Sequence, residues 1–298
     1  MYDSTKPYTK KILELVRTTW KDNEVPPSST DGIGTKGFYH WQQKTLRSAA
    51  LDALAMNLND MAVLRARTTY LHDHILIPED DEKSILEIVK TLAEECRKRD
   101  IVMSSGETSI HDNLNGLDIS VNVTGEYIGE RRENKFKECD YLVGIKSNGL
   151  HSNGFTKVRE LFGDEFRKEF TDPTFIYYDA ILDLIKRFDI NGMVHITGGA
   201  YTKLKPFLNE NDAIILKEYD FFSQDIFNEL YKRGISDEKM YKTFNCGIGF
   251  ILSVRDNLEG IVSRLNDFGF DAKKIGIVYP GTGKVRIDSK FSQEKVIL

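Results

Sequence analysis

Residues 45–63 form a nearly unbroken run of Ala, Leu and Met, and a helix this apolar must be buried against other elements. A second helix is marked by Ile85, Val89, Leu92 and Cys96 at i, i+4, i+7 and i+11, which gives it one buried face. Leu117, Ile119, Val121 and Val123 alternate with Asp118, Ser120, Asn122 and Thr124, the period of a strand with one face in the core, and Gly125 opens a turn after it. Helices that need cover and a strand that offers one apolar face predict an α/β (α+β) chain with helices packed on a sheet. At 298 residues there is enough core for two domains.

The rest of the chain alternates in the same way. Ile12, Leu15, Val16 and Thr19 predict a helix over 8–20, and Pro26-Pro27 forces an extended approach to Ser28. Residues 130–140, ERRENKFKECD, are strongly charged and aperiodic, so the domain boundary is expected there, with one domain over 1–139 and another over 140–298. Beyond it, strands are expected near 141–146, 213–217, 246–254 and 274–280, and helices near 154–163, 173–188 and 256–269.

Charge narrows the partners. Forty-six acidic against 41 basic residues leave a formal charge of −5, so no global basic field favours nucleic acid. No stretch approaches the roughly 20 apolar residues of a membrane span, and the polar, lysine-bearing start after Met1 is unlike a secretion signal, so a cytoplasmic protein is expected. The three cysteines, Cys96, Cys139 and Cys246, fall in no metal-binding spacing and read as reduced thiols.

Five short boxes combine small residues with carboxylates, amides or histidines in a way that packing alone does not require. The first runs from Ser28 to Lys36, where Gly32 and Gly34 let backbone amides approach a ligand and Asp31 and Lys36 can face metal or phosphate. The second, Asn57-Leu58-Asn59-Asp60, puts a carboxylate in the apolar helix, and burying an ionised carboxyl demands a cation or donor. In the third, Ser104 to Thr108, Glu107 is expected at the end of a strand covering Ile101-Val102-Met103. Asp31, Asp60 and Glu107 are hard oxygen donors of the kind magnesium takes alongside phosphate oxygens. The fourth and fifth, around His151-Ser152-Asn153-Gly154 and His195-Ile196-Thr197-Gly198-Gly199, end at expected helix starts, where free amides favour anions.

In this order, and followed by Thr243-Phe244-Asn245-Cys246-Gly247, the boxes resemble the aminoimidazole ribonucleotide synthetase family over residues 28–287. The resemblance implies a two-domain chain whose N-terminal strands join those of a second copy in a barrel-like homodimer, with ATP and Mg2+ bound near that interface. It implies ATP-dependent closure of formylglycinamidine ribonucleotide, a small molecule, to aminoimidazole ribonucleotide in purine biosynthesis. By the same resemblance Lys36, Asp60 and His151 are catalytic, while Asp31, Gly32, Gly34, Asn59 and Glu107 hold ATP, with Asp31, Asp60 and Glu107 on the metal. Ser152, Asn153, His195, Thr197, Gly198 and Gly199 contact substrate. Asn245 and Cys246 support the pocket, and nothing near the thiol activates it.

The chain also departs from the family. No glycine occurs in residues 8–27, where the family has a glycine-rich segment with a lysine, and its third glycine after His-Ile-Thr is Ala200. The family's Leu-Asp-Tyr reads Leu71-His72-Asp73-His74, which leaves His72 or Asp73 for the acidic position. A superfamily kinase that stops at phosphoryl transfer, or a non-catalytic ATP-binding relative, are the alternatives.

Overall fold

The computed structural model describes residues 8–19, 25–217 and 224–298. Two compact units emerge, and both are discontinuous in sequence. One comprises Pro27–Glu130 and Ser147–Leu182, the other Met1–Pro26, Arg131–Lys146 and Asp183–Leu298.

In the first unit, β1 (Ser28–Gly32), β2 (Ala66–Ile77), β3 (Val102–Ile110) and β4 (Asp118–Tyr127) form a sheet in the order β1-β4-β2-β3. β1 and β2 flank β4 antiparallel, and β3 runs parallel to β2 as an edge strand. The unit's helices include α2 (Lys36–Gln43), α3 (Leu46–Val63), α4 (Glu82–Lys98) and α5 (Phe155–Phe162). As its composition requires, α3 is buried on nearly every side; of the face expected on α4, Leu92 and Cys96 are buried and Ile85 and Val89 half-buried, with Ile88 buried beside them. Ile119, Val121 and Val123 point into the core, as their alternation predicts.

The long strand β2 was not expected from the sequence. Its buried positions run Ala66, Thr68, then Leu71, Asp73, Ile75 and Ile77, because the register with β4 shifts between Thr68 and Tyr70. A bulge of this kind inserts one residue and flips the side-chain phase, which hides the strand from a period-of-two reading.

The second unit is built on a mixed seven-stranded sheet. Its strands are β5 (Tyr141–Lys146), β6 (Gly192–His195), β7 (Asn211–Ile215), β8 (Ile248–Val254), β9 (Ala272–Pro280), β10 (Val285–Asp288) and β11 (Lys295–Ile297), in the order β11-β10-β7-β9-β5-β8-β6. Only β10 and β7 run parallel; the other neighbours are antiparallel. Every residue of β8 is buried, so this interior strand reads as a continuous apolar run.

Two expected helices begin or end elsewhere. α6 spans Tyr178–Arg187 rather than starting near 173, because the amides of Thr174 and Tyr177 bond to side chains of α3 instead of to a helical turn. α1 covers Thr9–Arg17, and Trp20, its expected end, lies outside the described residues. Among the described residues, no helix is long and apolar enough to cross a membrane.

Candidate functional site

β1 ends in the first box. Asp31 is half-buried, its Oδ1 accepts the amide of Gly32 at 2.8 Å, and Gly34 turns the chain with φ +54°. A Cβ on Gly37, one turn into the region, would lie 1.9 Å from the Leu117 carbonyl oxygen, so glycine is what lets α2 press onto the start of β4.

Lys36, expected to be catalytic, makes its contacts within its own unit. Its ammonium is buried, with Nζ 2.7 Å from Asp52 Oδ2 and donating to the Asp172 carbonyl at 2.6 Å, while the Phe155 ring centroid lies 5.5 Å away. These contacts engage two of the three Nζ donors and tie the Lys36 side chain to α3 and to the segment before α6. The same carboxylate collects His40 Nε2 at 2.8 Å on Oδ2, and on Oδ1 Ser152 Oγ at 2.8 Å, Thr174 N at 2.7 Å and Thr174 Oγ1 at 2.6 Å. Burial opposes ionisation of Asp52, but the Lys36 charge and the His40 and Lys36 hydrogen bonds outweigh it and hold the carboxyl well below the usual range.

Asn59, expected on ATP, is fully buried. Its amide spans the backbone of the 175–177 segment, accepting from Tyr177 N at 2.7 Å and donating to Phe175 O at 2.9 Å. Asn57 donates to the Asp31 carbonyl at 3.1 Å and thereby pins β1 to α3, one turn before half-buried Asp60.

Glu107 also departs from expectation. It sits within the nine-residue β3 rather than at a strand end, exposed and opposite His74. β1 and β3 are the two edges of a four-stranded sheet, so Asp31 and Glu107 are separated by about 14 Å across three inter-strand steps. Among the described residues, no three His, Cys, Asp or Glu side chains converge as a metal site. Of the three expected acids, Asp31 and Asp60 lie on adjoining elements, and Glu107 lies apart from them.

The ambiguous segment in β2 resolves by strand parity. His72 faces outward and bonds Ser105 Oγ at 2.7 Å through Nδ1. Asp73 faces inward and is 8% exposed, over Gly106, where a Cβ would come within 2.5 Å of its Oδ2. Burial pushes the Asp73 carboxyl above the usual range.

The His-Ser-Asn-Gly box forms a tight loop before α5. His151 takes a left-handed φ of +59°, and its buried ring packs near Phe175 and Tyr177 at 6.3 and 6.1 Å between centroids. Ser152 turns onto Asp52 and Thr174, which anchors the loop at its centre. Asn153 differs from both: its Nδ2 is buried and has no hydrogen-bond partner among the described residues, a donor that a ligand oxygen would satisfy.

The fifth box lies in the other unit. β6 ends at His195, which is buried and stacked on Phe250 at 6.0 Å, so its ring is part of the sheet packing. Thr197, Gly198 and Gly199 then turn into a short 3-10 helix, with Gly199 at φ +78°. Lys203 donates from Nζ to Thr197 Oγ1 at 2.5 Å, placing a cation on the turn. Cys246 is buried and its thiol is pushed up to about 12 by burial, while Asn245 Oδ1 accepts Gly247 N at 2.8 Å.

Asp52 and Lys203 were missed by sequence reasoning. Asp52 had a signal, since it is an acid inside the same apolar helix that made Asp60 conspicuous. Lys203 had none, because a lysine in a mixed helix is ordinarily a surface residue.

The chain matches two family profiles described as AIR synthase related protein, the N-terminal domain over residues 17–127 and the C-terminal domain over 138–288. It is 33% identical to a phosphoribosylformylglycinamidine cyclo-ligase of Saccharolobus solfataricus, over 85% of this chain and 79% of that protein. Among solved structures, the hydrogenase maturation protein HypE in complex with ATP aligns with a TM-score of 0.69 at 15% identity, covering 100% of this chain and 96% of that one. Thiamine monophosphate kinase from Aquifex aeolicus aligns with a TM-score of 0.67 at 16% identity, covering 96% of each chain.

Proposed function

The chain belongs to the AIR synthase related family, and on that premise we propose that it is the ATP-dependent cyclo-ligase that closes formylglycinamidine ribonucleotide to aminoimidazole ribonucleotide in purine biosynthesis. One observation carries the reading: the likeness to a curated cyclo-ligase runs through most of both chains.

The chemistry needs a leaving group. An amide oxygen leaves poorly, so ATP phosphorylates the formyl oxygen and releases ADP; the amidine nitrogen then attacks the activated carbon and loses a proton. Phosphate departs as the ring closes. The protein's part is to position the reactants and neutralise charge.

On the nucleotide side, Asp31 and Asp60 are the residues to hold Mg2+, which offsets the charge of the triphosphate when bound. Gly32 and Gly34 admit the phosphates close to the backbone. In the first unit, Asn153 is the residue to donate its amide to a substrate oxygen; in the second unit, the Thr197-Gly198-Gly199 turn with Lys203 is the place for a phosphate. His151 shapes the loop that carries Asn153, and His195 precedes the turn that carries Thr197.

In this reading, residues 1–139 serve ATP binding and dimerisation, and residues 140–298 serve substrate binding. A homodimer built on the N-terminal sheet gives Glu107 a nucleotide-side place that the separation of β1 and β3 denies it within one chain. A cytoplasmic location follows from the pathway.

The test is a product assay. Purified protein with ATP, Mg2+ and formylglycinamidine ribonucleotide should yield ADP, free phosphate and aminoimidazole ribonucleotide in equal amounts, with thiamine monophosphate as control. Absence of the imidazole product from protein that binds ATP overturns the reading, and phosphorylated thiamine monophosphate would identify a kinase instead.

A further inference from the structure

Asp52 takes no part in the reaction as written, yet its carboxylate accepts five hydrogen bonds and is wholly excluded from water. We propose that Asp52 is a positioning residue, which sets the His151-Ser152-Asn153 loop for substrate and ties it to the segment that carries Asp31. The kinetic part of this inference rests on the cyclo-ligase reading; the structural part does not.

The loop needs a hold. His151 has a left-handed backbone that is strained for a non-glycine residue, and positive-φ glycines lie on either side at Gly149 and Gly154. Such a conformation persists only where tertiary contacts over-determine it. Ser152 supplies the contact from the loop's centre, donating to Asp52 Oδ1, and Asn148 adds a bond to the Pro173 carbonyl at 2.5 Å.

Asp52 can serve as an anchor because it is itself immobile. Thr174 binds the same oxygen twice, and Lys36 and His40 bind the other. His40 must carry its proton on Nε2 to donate to a carboxylate, so its Nδ1 accepts from the Thr45 hydroxyl at 2.8 Å, a tautomer assigned from the network. Burial lowers the pKa of His40 and keeps it neutral, which leaves Lys36 and Asp52 as a balanced charge pair.

The consequence falls on the neighbour of Ser152. Asn153 carries a buried amide nitrogen that lacks an acceptor among the described residues, and its direction is set by where Ser152 is anchored. Lys36 begins α2, four residues after Gly32, so the same carboxylate also fixes the end of the first box. Asp52 thus holds both boxes without touching a ligand.

Ser152→Ala removes one donor and keeps the buried charge pair, so it probes the anchor with little threat to folding; Asp52→Asn is the stronger companion. In full-length Ser152→Ala, amide exchange across residues 147–154 should speed at least tenfold while the amides of α3 keep their protection. kcat/KM for formylglycinamidine ribonucleotide should fall at least tenfold, with the Kd for ATP within twofold of the parent. Ser152→Thr, which keeps the hydroxyl, should recover at least half of the loss. Unchanged loop exchange and kcat/KM in Ser152→Ala overturn the proposal, as does a parallel loss of ATP binding or a failure of Ser152→Thr to recover. If the parent closes no ring, the cyclo-ligase reading fails alone, and the exchange arm still decides the anchor.

Discussion

Lys36 and Asp52 form an ion pair buried to the last atom, Nζ to Oδ2 at 2.7 Å, between the first turn of α2 and the middle of α3. Desolvating both charges is costly, and the pair is stable because the carboxylate's remaining capacity is met by His40, Ser152 and Thr174.

Breaking the pair from one side should be severe. Lys36→Met strands the Asp52 charge and is expected to cost about 3–5 kcal/mol in urea unfolding, whereas Lys36→Met with Asp52→Asn should recover much of that loss. Equal stability of the single and double variants would mean that the charge is not what matters.

Acid should undo the same network. The Asp52 carboxyl is depressed in the folded state, since the Lys36 charge and its hydrogen bonds outweigh burial; its stabilisation is present above the unfolded carboxylate value of about 4 and is lost as pH falls toward the folded one. Urea midpoints measured from pH 7 down to pH 3 should therefore fall more steeply for the parent than for Lys36→Met with Asp52→Asn. Parallel pH profiles would assign the acid sensitivity to other groups.

Asp60→Asn keeps volume and deletes a ligand charge. Magnesium-dependent ATP turnover is expected to drop at least a hundredfold with melting unchanged; turnover within twofold of the parent removes Asp60 from the nucleotide site.

The three thiols should react unequally. Cys139 is exposed, while Cys96 and Cys246 are buried and their thiols are pushed up by burial, to about 11 and about 12. One equivalent of iodoacetamide should label Cys139 in the native protein, with the others reacting only on unfolding. Rapid native labelling of Cys246 would reopen its assignment as structural.

An exposed edge strand needs cover. Val102 and Ile110 of β3 are 54% and 53% exposed. Sedimentation at micromolar concentration should give a dimer mass, and replacing Val102 with Lys should shift it toward monomer. A monomer mass for the parent throughout that range rejects the dimer.

Much of this was legible in the chain itself. The composition of α3 required burial on all sides, the alternation over Leu117 to Val123 required a one-faced strand, and the order of the glycine, acid and histidine boxes pointed to the family. These are local properties: periodicity and small-residue spacing are written in neighbouring positions, and they do not depend on what packs where. Gly34, Gly154 and Gly199 fall on positive-φ turns for the same reason.

What the tertiary structure decided is where each polar group spends its hydrogen bonds. Lys36, Ser152 and Asn59 carry the residue types of a ligand site, yet their partners lie 16, 100 and up to 118 positions away, on Asp52 and Tyr177. Strand order likewise put Asp31 and Glu107 on opposite edges, and one bulge hid β2. A side chain's donors go to whichever acceptor folding brings within about 3 Å, and that distance is set by the packing of whole elements, not by the residues on either side.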